Sequence, residues 1–336
     1  MYRKFIYVVI SSVMVACGDK PAVNDESNLP QEPTPSVENL EWTDISDQYG
    51  NLPQYIKILK SPDKLQDKKA IAYVAVADMN EATWDVWSIE DVEMDGTSDT
   101  FKKPSEVYSE GSWSVVINAG FFYSEGGKKY PASLAVRNSE VLAYNINYAS
   151  EDWKTIYYPT RAAFLENEFG EFDACWTYKT SDTHYMYSEP ASNTWDARPA
   201  PVPSDKYPAG GEEFDAKFAI GGGPVLIDNG KFTNSYVQEL FNGDSGISPV
   251  TKQPRTAVGI TADKKLILFV CEGRQMTPGI AGLSTADVAR VLLDLGCVEA
   301  INLDGGGSSC MLVNGKETIK VSDGSQRPVG STIMIK

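Results

Sequence analysis

The sequence predicts an α+β fold: a single, mixed, strand-rich domain with few helices and a loop-rich insertion. Three observations lead to this prediction. The chain has 336 residues of which 42% are hydrophobic, enough to bury a full core. Short apolar runs ended by turn residues recur along it, which is typical of strands. Only one segment has a marked helical periodicity, and no repeat of constant period is present.

The N-terminal residues are predicted to lie outside this domain. Arg3 and Lys4 precede an apolar run, Phe5–Ala16, that ends in Val-Met-Val-Ala-Cys. A helix of that length rises about 18 Å, too little for a hydrocarbon core of about 30 Å, so an export signal is favoured over a membrane span. The run resembles a bacterial lipoprotein signal with lipidation at Cys17. An ordinary secretory signal with an incidental cysteine is the alternative.

These features divide the chain into three parts. Residues 1–16 are predicted to be the signal peptide, and residues 17–41, rich in proline and acidic residues, a disordered tether. Residues 42–336 are predicted to form the folded domain, with a core at about 70–336 and an insertion at about 145–216. The expected location is the bacterial cell envelope, lipid-anchored on a periplasmic or surface face.

Strands and hairpins are predicted in chain order from apolar runs and turn signals. The strongest turn signal is Asp228-Asn229-Gly230. The predicted strands are Ala70–Asp78, Trp84–Ile89, Trp113–Asn118, Glu299–Leu303 and Cys310–Val313, and the predicted hairpins span 132–144, 161–176, 217–232 and 255–272.

One helix is predicted just before the last strands. Ser284 and Asp287 have the spacing of a capping box, and Gly296 suits the position after the helix. Between them, apolar residues recur at helical spacing and form one face: Val288, Val291, Leu292 and Leu295.

Composition excludes several kinds of site. The chain carries 30 basic and 46 acidic residues, a net charge of −16, and a single histidine, His184. That charge argues against binding of nucleic acid or of an anionic membrane surface. One histidine cannot build a His-rich zinc site, and a Ser-His-Asp catalytic triad would have to use His184. Acid–base chemistry is therefore expected from carboxylates.

A constellation of polar and glycine residues lies at predicted strand ends. In Asn302–Ser309 a buried strand delivers Asp304, and three glycines follow whose N–H groups suit an anion-binding nest. Asn118-Ala119-Gly120-Phe121-Phe122 ends another strand. Arg255 and Arg274 flank one hairpin, so we expect them to lie near each other and to suit a phosphodiester.

In this order the motifs resemble the phosphodiester glycosidase family, which includes the enzyme that uncovers mannose 6-phosphate and many exported bacterial proteins. The resemblance covers about residues 70–336, and its most diagnostic piece is NLDGGGSS at 302–309. The other pieces are NAGFF, GGGPVLIDNG, RTAVGI, EGR followed by the GLSTADVARVLLDLGC helix, and the late Ser322-Asp323-Gly324 with Arg327-Pro328.

The resemblance implies hydrolysis of a sugar-1-phosphodiester on the sugar side. A carboxylate near the anomeric carbon suits an oxocarbenium-like transition state. We expect Asp304 to be the principal catalytic carboxylate and Glu272 the second. Many family members carry Asp where this chain has Glu272, which makes the role of Glu272 less secure. The expected substrate-binding residues, with Asn118 and Asn302 either on sugar hydroxyls or orienting Asp304, are Asn118, Gly120, Arg255, Arg274, Asn302, Gly305, Gly306, Gly307, Ser308, Ser309 and Arg327.

Alternatives remain open from the sequence. A non-catalytic glycan-binding lipoprotein would use the same cleft. A phosphodiesterase that cuts P–O would need metal, and Asp304, Glu272 and Asp323 would then hold a hard divalent cation. For the glycosidase or the glycan-binding protein, no cofactor is expected to be required. The expected partner is a sugar-phosphate or glycan, and contact with the membrane is expected only through the N-terminal lipid.

The predicted insertion and the cysteines also allow two interpretations each. The aromatic rings of residues 145–216 either stack on sugar faces at the cleft edge or form a small core of their own, and His184 within them is not expected to be catalytic. Cys175, Cys271, Cys297 and Cys310 are either buried free thiols or disulfide partners.

Overall fold

A computed structural model describes residues 41–91, 101–243 and 245–336. The predicted signal peptide, Cys17 and the predicted tether up to residue 40 lie outside the described residues. In the described part, no helix combines the length and apolar content needed to cross a membrane.

The described residues form 24 strands, two α-helices and two short 3₁₀ turns, which confirms the strand-rich prediction. The helices are α1 (Pro104–Ser109) and α2 (Thr285–Asp294), and the 3₁₀ turns are Ser46–Tyr49 and Gly306–Ser308. The strands are β1 (Thr43–Asp44), β2 (Ile56–Lys60), β3 (Lys64–Leu65), β4 (Lys68–Lys69), β5 (Ala72–Asp78), β6 (Trp84–Ser88), β7 (Val115–Asn118), β8 (Phe122–Glu125), β9 (Lys128–Pro131), β10 (Ala135–Arg137), β11 (Glu140–Ala143), β12 (Arg161–Glu166), β13 (Phe172–Lys179), β14 (His184–Tyr187), β15 (Glu212–Glu213), β16 (Phe218–Gly221), β17 (Val225–Asp228), β18 (Lys231–Phe232), β19 (Arg255–Thr261), β20 (Lys265–Cys271), β21 (Cys297–Asn302), β22 (Met311–Val313), β23 (Lys316–Glu317) and β24 (Ser331–Ile335).

Three sheets surround the main core. Their strand orders are β1-β2-β5-β20-β19-β21-β17-β18, β11-β10-β16-β12-β13-β14-β15 and β23-β22-β7-β24-β6. The largest apolar cluster joins all three, with Val258, Phe164 and Ile117 as one member from each. A second cluster packs α2 against the opposite face of the eight-stranded sheet, through Leu292 and Phe269 among others.

Local sequence signals place the hairpin and helix that flank the later site residues. β19 and β20 pair in the register Arg255↔Cys271, as the predicted 255–272 hairpin requires. Helix α2 begins after Ser284, whose side chain accepts the Asp287 N–H while Asp287 reaches back to the cap, so the predicted capping box is confirmed. Gly296 follows the helix with φ of 85°.

The predicted 217–232 hairpin is wrong in its first half. Only β17 and β18 pair around the Asp228-Asn229-Gly230 turn. β16 belongs to the seven-stranded sheet, so the chain changes sheets between β16 and β17. Gly222 and Gly223 permit this crossing, because a Cβ at Gly222 would collide with the Asn302 carbonyl and Gly223 has φ of +140°.

Residues 145–216 contribute strands to a main sheet as well as loops. β12 and β13 pair with each other, and β12 also pairs with β16, near the middle of the seven-stranded sheet. Trp176 and Tyr187 are among the largest fully buried side chains, whereas Trp153 is half exposed. His184 stacks on Phe214, and burial lowers its pKa to about 4, so the ring is neutral. Several of these rings, including Trp176 and Tyr187, therefore belong to the interior.

The cysteines and one glutamate also belong to the interior. Cys175, Cys271, Cys297 and Cys310 are buried and free. Sequence reasoning missed Glu239, which joins two sheets: its carboxylate accepts the N–H groups of Val225 and Ala162, both at 2.9 Å. It also accepts from Ser235 Oγ at 2.6 Å and from the indole of Trp176 at 3.2 Å.

Three carboxyl groups converge where β13, β17 and β21 meet. Burial, more than any other cause, raises the pKa values of Asp173, Asp228 and Glu299, and the pKa of Glu299 reaches about 8. Glu299 is only 7% exposed, and its Oε1 accepts the Asn229 N–H at 2.9 Å. The neighbouring carboxylates add to the raised pKa of Glu299, so this group holds its proton near neutral pH.

Replacing Glu299 with Gln should therefore change how stability depends on pH. The folded-state pKa of about 8 lies above the ordinary value of 4.5. The stability that this proton contributes is fully present below the ordinary pKa and is lost as pH rises through about 8. Relative to Glu299→Gln, the wild type should lose up to about 1.4 kcal/mol of unfolding free energy per pH unit across that window. Denaturant unfolding at pH 5, 7 and 9 measures this, with Glu213→Gln on an exposed strand as the control. Parallel pH curves for wild type and Glu299→Gln would contradict it.

Candidate active site

Hydrogen bonds to two neighbouring residues fix the backbone of Asp304. It follows β21 by two residues, and its side chain is partly exposed. Its N–H donates to the Ala119 carbonyl at 2.8 Å, and its own carbonyl accepts from Asn118 Nδ2 at 2.6 Å. The main chain of the principal predicted carboxylate is thereby fixed.

The Asn118 side chain hydrogen-bonds to several of the groups around Asp304. Its Oδ1 accepts from Thr256 Oγ1 at 2.9 Å and from the Cys310 N–H at 3.0 Å. Asn118 is 0% exposed, so it cannot reach a sugar hydroxyl, which corrects one of its two predicted roles. The other role, orienting Asp304, fits its contacts. Ser309 belongs to the same buried cluster, with its Oγ 3.2 Å from Thr256 Oγ1, and is corrected from ligand to scaffold.

The Asp304 carboxyl group has a pKa raised to about 6. Loss of hydration among the surrounding groups is the largest cause. It outweighs the hydrogen bond from the Ser308 hydroxyl, the charge of Arg327, the Gly305 N–H and the charge of Arg274, all of which lower the pKa. A carboxyl group with this pKa can change protonation state near neutral pH, as acid–base catalysis requires.

Two arginines and Asp323 adjoin this carboxyl group. Arg327 donates to Asp323 Oδ2 from Nε at 2.9 Å and from Nη2 at 2.5 Å, and from Nη1 to Ser308 Oγ at 3.4 Å. Arg274 Nη1 lies 3.9 Å from Asp323 Oδ1, and Arg274 Nε donates to Gln253 Oε1 at 2.9 Å. The Arg274 and Arg327 side chains are 46% and 37% exposed, so both remain accessible to an anionic ligand.

The glycine triplet leaves room for these arginines. Gly306 has φ of +58°, and a Cβ there would lie 2.6 Å from Arg274 Nη2. A Cβ at Gly307 would overlap Arg327 Nη2 and the Asp323 carboxylate. The glycines at these two positions therefore admit two guanidinium groups beside Asp304.

Most N–H groups of the predicted anion nest are already bonded within the protein. The N–H groups of Gly306, Ser308 and Ser309 donate to the carbonyls of Pro254, Gly305 and Gly306 at 2.9, 3.1 and 3.3 Å. The Gly305 N–H donates to the Asp304 carboxylate. Because these donors are already used within the protein, the side chains of Arg274 and Arg327 are better placed to bind a phosphate.

Arg255 also differs from its predicted role. It is 2% exposed, and four of its N–H groups donate to backbone carbonyls: Leu283 at 3.0 Å, Ile247 at 2.9 Å, Ser248 at 2.6 Å and Thr251 at 2.9 Å. It does lie close enough to Arg274 for their charges to interact, as the hairpin predicts. Arg255 therefore holds the 247–251 loop, and Arg327 takes its place beside Arg274.

Glu272 lies beneath the loop that carries Asp323 and Arg327. It is 4% exposed, and its Oε1 accepts the Lys320 N–H at 3.0 Å. Its Oε2 is buried without a hydrogen-bond partner among the described residues. This position favours an anchoring role for Glu272 over that of a second reacting carboxylate.

Two further predicted ligands are part of the scaffold. Asn302 is fully buried, and its Nδ2 donates to the Gly223 and Leu303 carbonyls, both at 2.8 Å. Gly120 is packed so closely that a Cβ would lie 2.6 Å from Ser133 Cβ. Asn302 therefore supports the strand ends, whereas the substrate contact of Gly120 stays a prediction.

Two carboxyl groups of the hard-cation alternative already have partners in this structure. Among the described residues, no group of three or more His, Cys, Asp or Glu side chains is arranged to hold a metal ion. Asp323 is already hydrogen-bonded to Arg327, and Glu272 to Lys320.

Comparison with known proteins places this site in a family. The sequence model described as NAGPA, phosphodiester glycosidase, matches residues 112–336, a range that contains Asn118, Asp304 and both arginines. The chain belongs to the phosphodiester glycosidase family. A curated relative, the SPbeta prophage-derived uncharacterized protein YomE of Bacillus subtilis (strain 168), is 38% identical over 84 residues. That match spans 25% of this chain and 13% of the relative.

Solved structures share the fold at low identity. A hypothetical protein from Synechocystis has a TM-score of 0.56 at 18% identity, covering 85% of this chain and 62% of its own. The zebrafish N-acetylglucosamine-1-phosphodiester alpha-N-acetylglucosaminidase catalytic domain, auto-inhibited by its pro-peptide, has a TM-score of 0.52 at 18% identity, covering 88% and 82%. A putative exported protein of Burkholderia pseudomallei K96243 has a TM-score of 0.50 at 17% identity, covering 80% and 74%.

Arg255→Lys should destabilise the fold of this chain, whereas Arg274→Lys should not. A buried lysine cannot reproduce four bonds from a planar fork, so we expect a loss of about 2–4 kcal/mol in unfolding free energy. Arg274 is about half exposed, and its replacement should cost less than about 1 kcal/mol. Chemical denaturation of both variants measures the difference. Equal losses would mean that the two arginines have the same role.

Proposed function

We propose that this chain hydrolyses a sugar-1-phosphodiester by breaking the bond between the anomeric carbon and the phosphate oxygen. The products are the free sugar and a phosphomonoester. The observation that carries the proposal is the carboxyl group of Asp304, with a pKa of about 6, beside the accessible guanidinium groups of Arg274 and Arg327. The zebrafish neighbour's name describes a phosphodiester glycosidase of the same fold, which supports the proposal.

The charges of the site match those that develop in this reaction. As the C–O bond breaks, positive charge grows on the sugar ring and negative charge on the departing phosphate. An ionised Asp304 stabilises the first, and the two arginines stabilise the second through charge-assisted hydrogen bonds. A phosphomonoester is a good leaving group, so the reaction needs no strong general acid.

Asp304 acts in its ionised form in this proposal. As a base it takes a proton from water while the water oxygen bonds to the anomeric carbon. The electron pair of the broken C–O bond then remains on the phosphate oxygen. As a nucleophile it would instead bond to the anomeric carbon first, and water would release the sugar in a second step. Glu272 keeps the Arg327 loop in place through Lys320.

Asp304→Asn should lower turnover by about 10²–10⁴, the usual contribution of one positioned acid–base group. The folded pKa of about 6 lies above the ordinary 3.8, so the stability from this proton is lost as pH rises through 6. At pH 7 the non-ionising Asn should therefore melt at the wild-type temperature or above it. Wild-type turnover should rise with pH through about 6.

Turnover and thermal melting on one preparation test this, with Asp63→Asn on an exposed turn as the control. Hydrolysis in ¹⁸O water adds the bond assignment, because C–O cleavage puts the label on the sugar and P–O cleavage puts it on the phosphate. A variant that melts normally and keeps near-wild-type turnover would exclude Asp304 as the catalytic carboxylate. Label on the phosphate would exclude the bond proposed here.

Arg327→Lys and Arg274→Lys should each weaken binding of the diester about ten- to a hundredfold. A hydrogen bond to a charged group contributes about 1.5–3 kcal/mol, and lysine keeps the charge but loses the fork. KM for the diester and Ki for inorganic phosphate measure this, with Arg290→Lys on helix α2 as the matched control. Binding of a neutral methyl glycoside should change much less. Equal losses for the diester and the neutral glycoside would mean that these arginines support the fold.

A further inference from the structure

The strand end that fixes Asp304 also carries an aromatic side chain. The Ala119 carbonyl accepts the Asp304 N–H at 2.8 Å, and Phe121 follows two residues later with a half-buried ring. The Phe121 N–H donates to Ser133 Oγ at 2.9 Å, which holds its backbone. Arg274 follows β20 and Arg327 precedes β24. Phe121 therefore comes from a different segment of the chain than either arginine.

Phe121 packs against a second aromatic ring, which is buried. The Phe121 and Phe241 rings meet edge to face, with centroids 5.8 Å apart and an interplanar angle of 62°. Phe241 is buried, and the Arg161 guanidinium carbon lies 4.5 Å from its centroid. Arg161 also donates to the carbonyl of Glu239, the residue that joins two sheets. The Phe121 ring is thus backed by the rigid interior.

The segment after Phe241 is in turn packed against the predicted insertion. A Cβ at Gly243 would lie 2.6 Å from both Trp195 Nε1 and Glu151 Oε1. Trp195 meets Tyr157 with centroids 5.1 Å apart, and the Tyr157 hydroxyl donates to the Trp195 carbonyl at 2.9 Å. The loops of residues 145–200 therefore pack against the segment that follows Phe241.

We propose that Phe121, backed by Phe241, is the sugar-binding wall of the cleft. The C–H groups on one face of a hexopyranose pack on the negative face of an aromatic ring, a face that an anionic phosphate does not favour. The arginines bind the phosphate, so the two walls orient the substrate with its anomeric carbon at Asp304. This inference rests on the proposed function and adds to it the sugar side of recognition. A phenylalanine side chain has no hydrogen-bond donor or acceptor, so this wall recognises the shape of a sugar face rather than its hydroxyl groups.

The next residue supplies a matched control. Phe122 begins β8, and its ring packs against Phe101 with centroids 5.1 Å apart. Lys129 Nζ lies 5.8 Å from the Phe122 centroid. Phe122 thus has its own partners, separate from the Phe121 and Phe241 pair, although it is adjacent in sequence and has the same side chain.

The experiment compares Phe121→Leu, Phe121→Tyr and Phe122→Leu with the wild type. The probes are N-acetylglucosamine 1-(methyl phosphate), the neutral methyl α-N-acetylglucosaminide and inorganic phosphate. Phe121→Leu should raise KM for the diester roughly two- to tenfold, the range expected for one aromatic contact. It should weaken binding of the neutral glycoside, followed by NMR, by the same factor. The Ki of phosphate should be the same for Phe121→Leu as for the wild type. Phe121→Tyr should bind the diester and the glycoside as the wild type does, and so should Phe122→Leu.

The outcomes separate this inference from the proposed function. If the wild type hydrolyses the diester but Phe121→Leu binds the glycoside as the wild type does, the sugar wall is wrong and the function stands. If Phe121→Leu loses glycoside binding but the wild type does not hydrolyse the diester, the wall stands and the function is wrong. An equal loss of phosphate binding in Phe121→Leu would also overturn the wall. A wild type that binds no glycoside and hydrolyses no diester would overturn both.

Discussion

The position of the candidate catalytic carboxyl group depends on the hydrogen bonds of the Asn118 side chain. One amide group at the end of β7 contacts the Asp304 carbonyl, the Thr256 hydroxyl and the Cys310 N–H. β7 belongs to the five-stranded sheet and β19 to the eight-stranded sheet, so these bonds join two sheets and a turn. Buried polar groups are costly when unpaired, so all three partners must be present together. The position of the Asp304 carboxyl group follows from this constraint.

The parts that sequence alone could predict are those that depend on neighbours along the chain. The β19–β20 hairpin and the capping box of Ser284 and Asp287 follow from local patterns, and both are present. Asp304 at a strand tip followed by glycines is also local, and the structure places it there. The prediction of one hairpin over β16 to β18 is wrong in its first half, because the apolar pattern of a run does not reveal that its two halves join different sheets.

The role of each arginine depends on contacts distant in sequence and could not be predicted from the pattern. Arg255 is buried among carbonyls of residues 247–251, whereas Arg327 reaches Ser308 and Asp323. Both look alike in a sequence: a cation beside a proline. The sequence pattern predicts N–H donors at Gly306 and Gly307, whereas in the structure guanidinium groups of Arg274 and Arg327 occupy the space that a Cβ would need there. Glu239 gave no sequence signal, since an isolated glutamate is usually a surface residue.

The pairing of Asp323 with two arginines has a consequence for how a substrate arrives. Asp323 and an ionised Asp304 together cancel the two positive charges, so the cleft offers little attraction at long range. The chain as a whole carries −16, which repels the proposed anionic diester out to about the Debye length, about 10 Å at 0.1 M salt. Capture therefore depends on short-range replacement of the Asp323 contacts by phosphate oxygens. Added salt should accelerate association by screening the repulsion, the reverse of the usual behaviour of an enzyme that attracts its substrate electrostatically.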